Sequence, residues 1–160
     1  MSYLRQGKSC VSISDNGCEI RPKRVQMKDL NVAGRNFVER FEGCSGGTPE
    51  VSCLMAVYWG DEPSHLVSAL ESIGGQTGVN LELVLVLDGS IPDIVRAVVH
   101  GYCSSAVHPV TVVQTEENKG LASALNAGLT YCRCELIARF DADDVSDPIR
   151  LSTQLDYMNT

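Results

Sequence analysis

Apolar residues follow two rhythms along the second two-thirds of this chain. Residues 51–58 (Val-Ser-Cys-Leu-Met-Ala-Val-Tyr), 81–87 (Leu-Glu-Leu-Val-Leu-Val-Leu), 110–114 and 136–140 are short, nearly unbroken apolar runs rich in β-branched residues. They read as four strands, and continuous rather than alternating apolar runs mean that both sheet faces are covered. Between them the period is helical. Leu66, Ala69, Leu70 and Ile73 share one face over residues 64–73, behind Pro63 and ahead of a stop at Gly74 and Gly75. Residues 92 to about 102 read as a second helix. Residues 121–132 read as a third, with Leu121, Ala124, Leu125, Gly128 and Leu129 aligned. Asp147-Pro148 opens a last one through Leu151 and Leu155. Strict alternation of strand and helix predicts an α/β fold: a mostly parallel sheet with right-handed crossovers and helices on both faces. Ligands of such folds sit outside the carboxyl ends of the strands.

The first 48 residues break this pattern. Asp29 is placed to cap a short helix with Leu30, Ala33, Phe37, Val38 and Phe41 on one face, whereas residues 1–24 show no sustained period. The small-residue stretch Cys44-Ser45-Gly46-Gly47-Thr48-Pro49 reads as a linker. Two units are therefore expected: residues 1–48, a solvated extension, and residues 49–160, the α/β domain. Charge divides at the same place. Residues 1–48 carry eight basic and five acidic groups, net +3, and residues 49–160 carry five and fifteen, net −10.

Composition then removes whole classes of function. The 160 residues are 44% hydrophobic, enough for a real core. Aromatics are 6%, with one Trp, and the net charge is −7, so neither base stacking nor a long-range field favours nucleic acid. Phosphates would have to be handled locally, by a metal or by backbone N–H groups. The longest apolar run is far short of the ~20 residues that span a bilayer. The first ten residues lack the apolar core of a signal peptide, so the cytosol is the expected compartment. The seven cysteines are odd in number and contain no Cys-x-x-Cys pair. Cys132-Arg-Cys134 is too closely spaced for a zinc knuckle, and free thiols are expected. Neither a phosphate-loop motif nor a Gly-x-Gly-x-x-Gly turn is present. His65, His100 and His108 stand beside no nucleophile.

Polar residues gather where the strands end. The first run leads to Tyr58, Gly60, Asp61 and Glu62; the second to Asp88, Gly89 and Ser90; the third to Asn118, Lys119 and Gly120; the fourth to Asp141-Ala142-Asp143-Asp144. Alternation at a strand end puts Asp141 and Asp143 on one side. Hard divalent cations bind through one or two such carboxylates plus substrate phosphates. The same cluster also fits a solvated acidic turn, with Asp147 capping the next helix. Asp88 fits either a turn former or an acceptor for a ring N–H. Asn118-Lys119-Gly120 fits either a polar loop or a phosphate contact at a helix start.

In order and spacing, six stretches are similar to one family. They are Met55-Ala-Val-Tyr58; Ala69-Leu-Glu-Ser-Ile73 with Gln76-Thr77; Leu85-Val-Leu-Asp-Gly89; Asn118-Lys-Gly-Leu-Ala122; Ala124-Leu-Asn-Ala-Gly-Leu129; and Ala138-Arg-Phe-Asp-Ala-Asp-Asp144 followed by Pro148, Arg150, Leu151 and Gln154. Residues from about 51 to 160 thus resemble the inverting glycosyltransferases of family 2, and most of all the bacterial members that build capsular and exopolysaccharides. The resemblance implies a GT-A fold, a Rossmann-like nucleotide-binding half, and transfer of sugar from a nucleoside diphosphate to a saccharide acceptor. It implies that Asp141 and Asp143 form the DXD motif that holds Mn²⁺ or Mg²⁺, and that Asp88 reads the base. Val57, Tyr58 and Asp61 or Glu62 match the nucleotide pocket. Lys119, Gly120 and Asn126 match donor-side contacts, and Arg139 leads into the motif. A UDP-sugar is the favoured donor, and peripheral placement at the inner face of the cell membrane follows from the same likeness. Family members continue into an acceptor half that carries an Asp or Glu base. No residue here matches that base, so a C-terminally truncated chain is expected. A catalytically incomplete nucleotide-binding or partner-binding module is the alternative function, and self-association through an exposed sheet edge is a further expectation.

Overall fold

A computed structural model describes residues 3–6, 9–14, 17–19, 37–43 and 47–159. Strands β1 (Tyr3–Gln6), β2 (Ser9–Ser14) and β3 (Gly17–Glu19) form an antiparallel three-stranded sheet of their own. These residues showed no sustained period in the sequence, because strands of three to six residues are too short to establish one.

The second sheet joins β4 (Phe37–Phe41), β5 (Val51–Val57), β6 (Leu81–Leu87), β7 (Val110–Gln114) and β8 (Leu136–Phe140) in the order β4-β7-β6-β5-β8. The β5–β6, β5–β8 and β6–β7 pairs are parallel, as the alternation of elements predicts. β6, β7 and β8 have the expected limits, and β5 ends one residue early.

The exception lies at one edge. Phe37, Val38 and Phe41 were expected on a helix, but they form the antiparallel edge strand β4, with Val38 opposite Val113. Val38 is buried against Leu54, Val84, Val86 and Val113. The unpaired edge of β7 supplies a full row of backbone partners that five helical residues could not match. The main sheet therefore reaches back across the stretch read as a linker. The first part of that expected helix, residues 29–36, lies outside the described residues.

Four helices connect the strands: α1 (Pro63–Gly74), α2 (Asp93–Ser105), α3 (Leu121–Leu129) and α4 (Arg150–Met158). Cys53, Met55, Val57, Leu83, Leu85, Leu87 and Phe140 point to one side of the sheet. There they meet Leu66, Leu70 and Ile73 of α1, Val95 and Val99 of α2 and Leu151 of α4. Leu54, Val84 and Val86 point to the other side, against Ala124 of α3. α3 lies close to the sheet because Gly128 leaves room for it: a Cβ there would stand 2.5 Å from Leu54 Cδ1.

α3 ends three residues before the expected limit, and a buried carboxylate accounts for this. Glu82, 1% exposed, accepts hydrogen bonds from Ser52 Oγ (2.6 Å), Arg133 N–H (2.7 Å) and Arg133 Nε. Drawing Arg133 onto the sheet ends the helix before residue 132. α4 begins at Arg150 rather than at Asp147, and Gln76 holds its start. Gln76 Nε2 donates to the Asp147 carbonyl at 2.7 Å, and its Oε1 accepts the Leu151 N–H at 3.0 Å. No helix among the described residues is long and apolar enough to cross a membrane.

Candidate nucleotide-binding site

The carboxyl ends of β5, β6 and β8 lie side by side in the sheet, which collects the polar strand ends on one edge. At the end of β5, residues 58–61 close a turn on themselves. The Asp61 N–H donates to the Tyr58 carbonyl (3.3 Å), and the Tyr58 N–H donates to Asp61 Oδ2 (2.8 Å). Gly60 leaves room for the Tyr58 ring to fold over this turn, since a Cβ there would stand 2.6 Å from the ring. Tyr58 and Trp59 are 45% and 65% exposed, with rings 6.0 Å apart and 73° from parallel. Burial raises the Asp61 carboxyl above the usual range. Its Tyr58 N–H bond opposes that shift and the Asp143 charge adds to it. The β5 and β8 carboxylates thus feel one another across the edge.

At the end of β6 stands Asp88, 2% exposed. Its Oδ1 accepts the Lys119 N–H (3.0 Å) and its Oδ2 the Gly120 N–H (2.8 Å), with Thr115 Oγ1 at 3.4 Å from Oδ1. α3 has no side-chain cap of its own, so Asp88 supplies the negative charge at its start. Gly89 lets the two segments meet. Its φ is +77°, and a Cβ there would stand 2.4 Å from the Asn118 nitrogen.

At the end of β8, Arg139 binds Asp141: Nε and Nη2 stand 3.1 and 2.7 Å from the same oxygen, Oδ1. Phe140 and Ala142 turn into the core while Asp143 and Asp144 are exposed. The Asp144 N–H closes a turn onto the Asp141 carbonyl at 3.3 Å. Arg150 donates to the Arg139 carbonyl (3.2 Å), and its guanidinium lies 4.5 Å from the centre of the Phe140 ring. A cavity of about 550 Å³ opens here, lined by Arg139, Asp141, Asp144, Asp147 and Arg150 among others.

The structure therefore brings Tyr58, Asp61, Asp88, Lys119, Gly120, Arg139, Asp141 and Asp143 to the strand ends. Glu62 is the exposed N-cap residue of α1, hydrogen-bonded to Ser64 Oγ at 3.5 Å. Val57 is fully buried, so its side chain belongs to the core, while its carbonyl accepts the Asp88 N–H. Asn126 is exposed midway along α3. The Lys119 side chain is 64% exposed and stands 4.0 Å from Glu117. Thr115, Trp59 and Arg150 were missed as site residues. Trp59 carried a usable signal, as the only tryptophan, one residue past a strand end.

Among the described residues, no group of three or more His, Cys, Asp or Glu could hold a metal ion. Asp141 and Asp143, two residues apart at the end of β8, offer two carboxylates. That suits a hard divalent cation sharing its remaining ligands with a diphosphate, and does not suit an all-protein cage. Burial pushes the Cys53 and Cys103 thiols up to about 12, so neither is a thiolate at neutral pH.

The model of the family described as glycosyl transferase family 2 matches residues 52–160. The chain belongs to glycosyl transferase family 2. It is 38% identical over 109 residues to the amylovoran biosynthesis glycosyltransferase AmsE of Erwinia amylovora, covering 68% of this chain and 40% of that protein. It is 34% identical over 114 residues to the Escherichia coli UDP-Gal:alpha-D-GlcNAc-diphosphoundecaprenol beta-1,3-galactosyltransferase, covering 71% and 41%. The chain thus spans about two-fifths of the length of these curated relatives. Among solved structures, the mannosyltransferase PcManGT from Pyrobaculum calidifontis, in complex with GDP-Man and Mn²⁺, aligns with a TM-score of 0.62 at 22% identity over 72% of this chain and 34% of that one. S. aureus TarS 1-349 in complex with UDP-GlcNAc aligns with a TM-score of 0.60 at 21% identity, over 69% and 31%. These likenesses establish the GT-A glycosyltransferase fold for the α/β part of this family 2 chain.

Proposed function

We propose that the strand-end site is the donor half of a sugar-transfer centre, binding a nucleoside diphosphate sugar together with Mn²⁺ or Mg²⁺. The observation that carries this reading is the donor set at the end of β8. Asp143 lies close enough to the Tyr58–Asp61 turn for its charge to act on Asp61. In this reading the carboxylates of Asp141 and Asp143 hold the cation. The cation supplies Lewis-acid stabilisation of the leaving diphosphate. Tyr58 lies against the base, and Lys119, held at the α3 start by Asp88, faces the phosphates. The Asp88 oxygens keep lone pairs beyond those used by Lys119 and Gly120, and these accept the base N–H. The hydroxyl of a saccharide acceptor would attack the anomeric carbon from the face opposite the diphosphate and invert it, the bond to the diphosphate breaking as the new one forms and the hydroxyl proton passing to an Asp or Glu base that none of these site residues supplies. UDP is the favoured nucleotide, supported by the names of the E. coli relative and of the TarS complex. The undecaprenol in the E. coli relative's name supports a lipid-linked saccharide as the class of acceptor, and with it peripheral work at a membrane.

The test is calorimetric titration of UDP into the chain and its Asp143→Ala variant, with and without Mn²⁺. Binding is expected only when both the metal and Asp143 are present. Equal binding by both proteins, or binding that ignores the metal, would sink the reading.

A further inference from the structure

Asp141 already has a cation. The Arg139 guanidinium places two nitrogens on Oδ1 at 3.1 and 2.7 Å, leaving Oδ2 without a hydrogen bond among the described residues. Asp143, the more exposed of the two, has no cationic partner among those residues. The pairing is thus selective for the first carboxylate of the pair. Arg139 is itself held in place: its carbonyl accepts a bond from Arg150, whose guanidinium is fixed over Phe140.

We propose that Arg139 is a positioning residue acting as a resident counter-ion. It holds Asp141 in the ligating position and gives up Oδ1 when a divalent cation arrives with the nucleotide diphosphate. The inference rests on the donor-site reading above. A metal ion sits roughly 2.0–2.6 Å from a carboxylate oxygen, and a guanidinium nitrogen about 2.8 Å. Both on Oδ1 would bring a double and a single positive charge within about 5 Å of each other. The cation can make its first contact at the open Oδ2, and repulsion across the shared carboxylate then weakens the Arg139 contact to Oδ1, because the divalent ion is the better partner for an anionic oxygen. The displaced guanidinium has five donors in a fork that matches phosphate oxygens, and the diphosphate supplies those oxygens as the contact to Asp141 is lost. A cation arriving alone meets a competitor, whereas a cation arriving with a diphosphate does not. Metal and nucleotide are therefore coupled, and the coupling is reciprocal.

The sign of one substitution separates this role from a merely structural one. Loss of a structural contact weakens metal binding; loss of a competitor strengthens it. The experiment titrates Mn²⁺ into the full chain, its Arg139→Gln and Arg139→Lys variants, and the same three proteins carrying Asp141→Ala, in which any gain from losing Arg139 reports only Mn²⁺ held diffusely by the acidic surface; free Mn²⁺ is read by its electron paramagnetic resonance signal, with and without UDP. Without UDP, Arg139→Gln is expected to bind Mn²⁺ about two- to fivefold more tightly than wild type, an effect of the size that exposed ion pairs carry. Arg139→Lys, which keeps the charge and loses the two-pronged contact, falls between them. The factor by which UDP raises Mn²⁺ affinity shrinks in Arg139→Gln. If Arg139→Gln binds Mn²⁺ no more tightly while wild type still binds UDP with Mn²⁺, the counter-ion role is overturned and the donor site stands. If no protein binds Mn²⁺ even with UDP, both fall.

Discussion

His108 is a histidine kept neutral by its surroundings. It is 5% exposed, its Nε2 stands 3.1 Å from the Tyr102 hydroxyl, and burial pushes its pKa down to about 4. In the unfolded chain the same ring takes its proton near 6.5. Between those values the unfolded state binds the extra proton, so stability falls as pH drops through this window and is unaffected above it. The loss from pH 7 to pH 5 amounts to about 2 kcal/mol. Urea unfolding at the two pH values should show it, and His108→Gln, which can still pair with Tyr102, should remove most of the difference. A wild-type slope unchanged by the substitution would assign the acid sensitivity elsewhere. In the sequence His108 was only one of three histidines without a nucleophile beside it. Its burial depends on residues 41–43 crossing its backbone, where a Cβ on Gly43 would stand 2.2 Å from the His108 carbonyl carbon. That contact spans more than sixty residues and leaves no local trace. Arg139 was equally opaque: the sequence placed it two residues before Asp141, but its bond to Asp141 depends on a rotamer.

Between elements, the side chains that set boundaries are remote ones. Neither α3 nor α4 has a side-chain cap of its own; Asp88 serves the first and Gln76 the second. This explains why the interiors of elements were legible and several ends were not. β6, β7 and β8 are continuous apolar runs that only a doubly covered sheet accommodates. The α3 end depends on Glu82, fifty-one residues away, and the α4 start on Gln76, seventy-five residues from Leu151. β4 was misread because Phe-Val-x-x-Phe fits either period over five residues, and only the free edge of β7 decides between them. At the candidate site, the placing of Asp61, Asp88 and Asp141 at strand ends was legible from the apolar runs that precede them. That Asp88 would accept two backbone donors from the start of α3 was not. Gln76 offers a direct test of remote capping. Gln76→Ala removes the acceptor of the Leu151 N–H and the donor to Asp147, so a loss of about 1–2 kcal/mol is expected. Amide exchange should quicken in the first turn of α4 while β6 stays protected. Uniform quickening across the sheet would mean that α4 has no separate stability and that the cap is incidental.

Across the whole molecule, negative charge outweighs positive by seven, and residues 49–160 alone carry a net −10. Such a chain attracts divalent cations over much of its surface, so metal binding by itself says little about the strand-end site. Thermal unfolding separates the two effects. Diffuse association gives a small stabilisation that persists when one carboxylate is removed. A specific nucleotide–metal complex at one hundred times its dissociation constant stabilises by about 2.7 kcal/mol. For a chain of this size that is a rise in melting temperature of roughly 5–10 °C. The rise should need UDP and Mn²⁺ together, and it should vanish in Asp143→Ala, leaving only the small shift that Mn²⁺ alone produces in both proteins. The competing location is the cavity of about 530 Å³ between α1 and α2, bordered by Gly74, Tyr102 and His108. It contains no part of the acidic edge, so a nucleotide lodged there would raise the melting temperature of wild type and Asp143→Ala alike. Equal shifts in the two proteins would therefore move the nucleotide from the strand ends to the helical face.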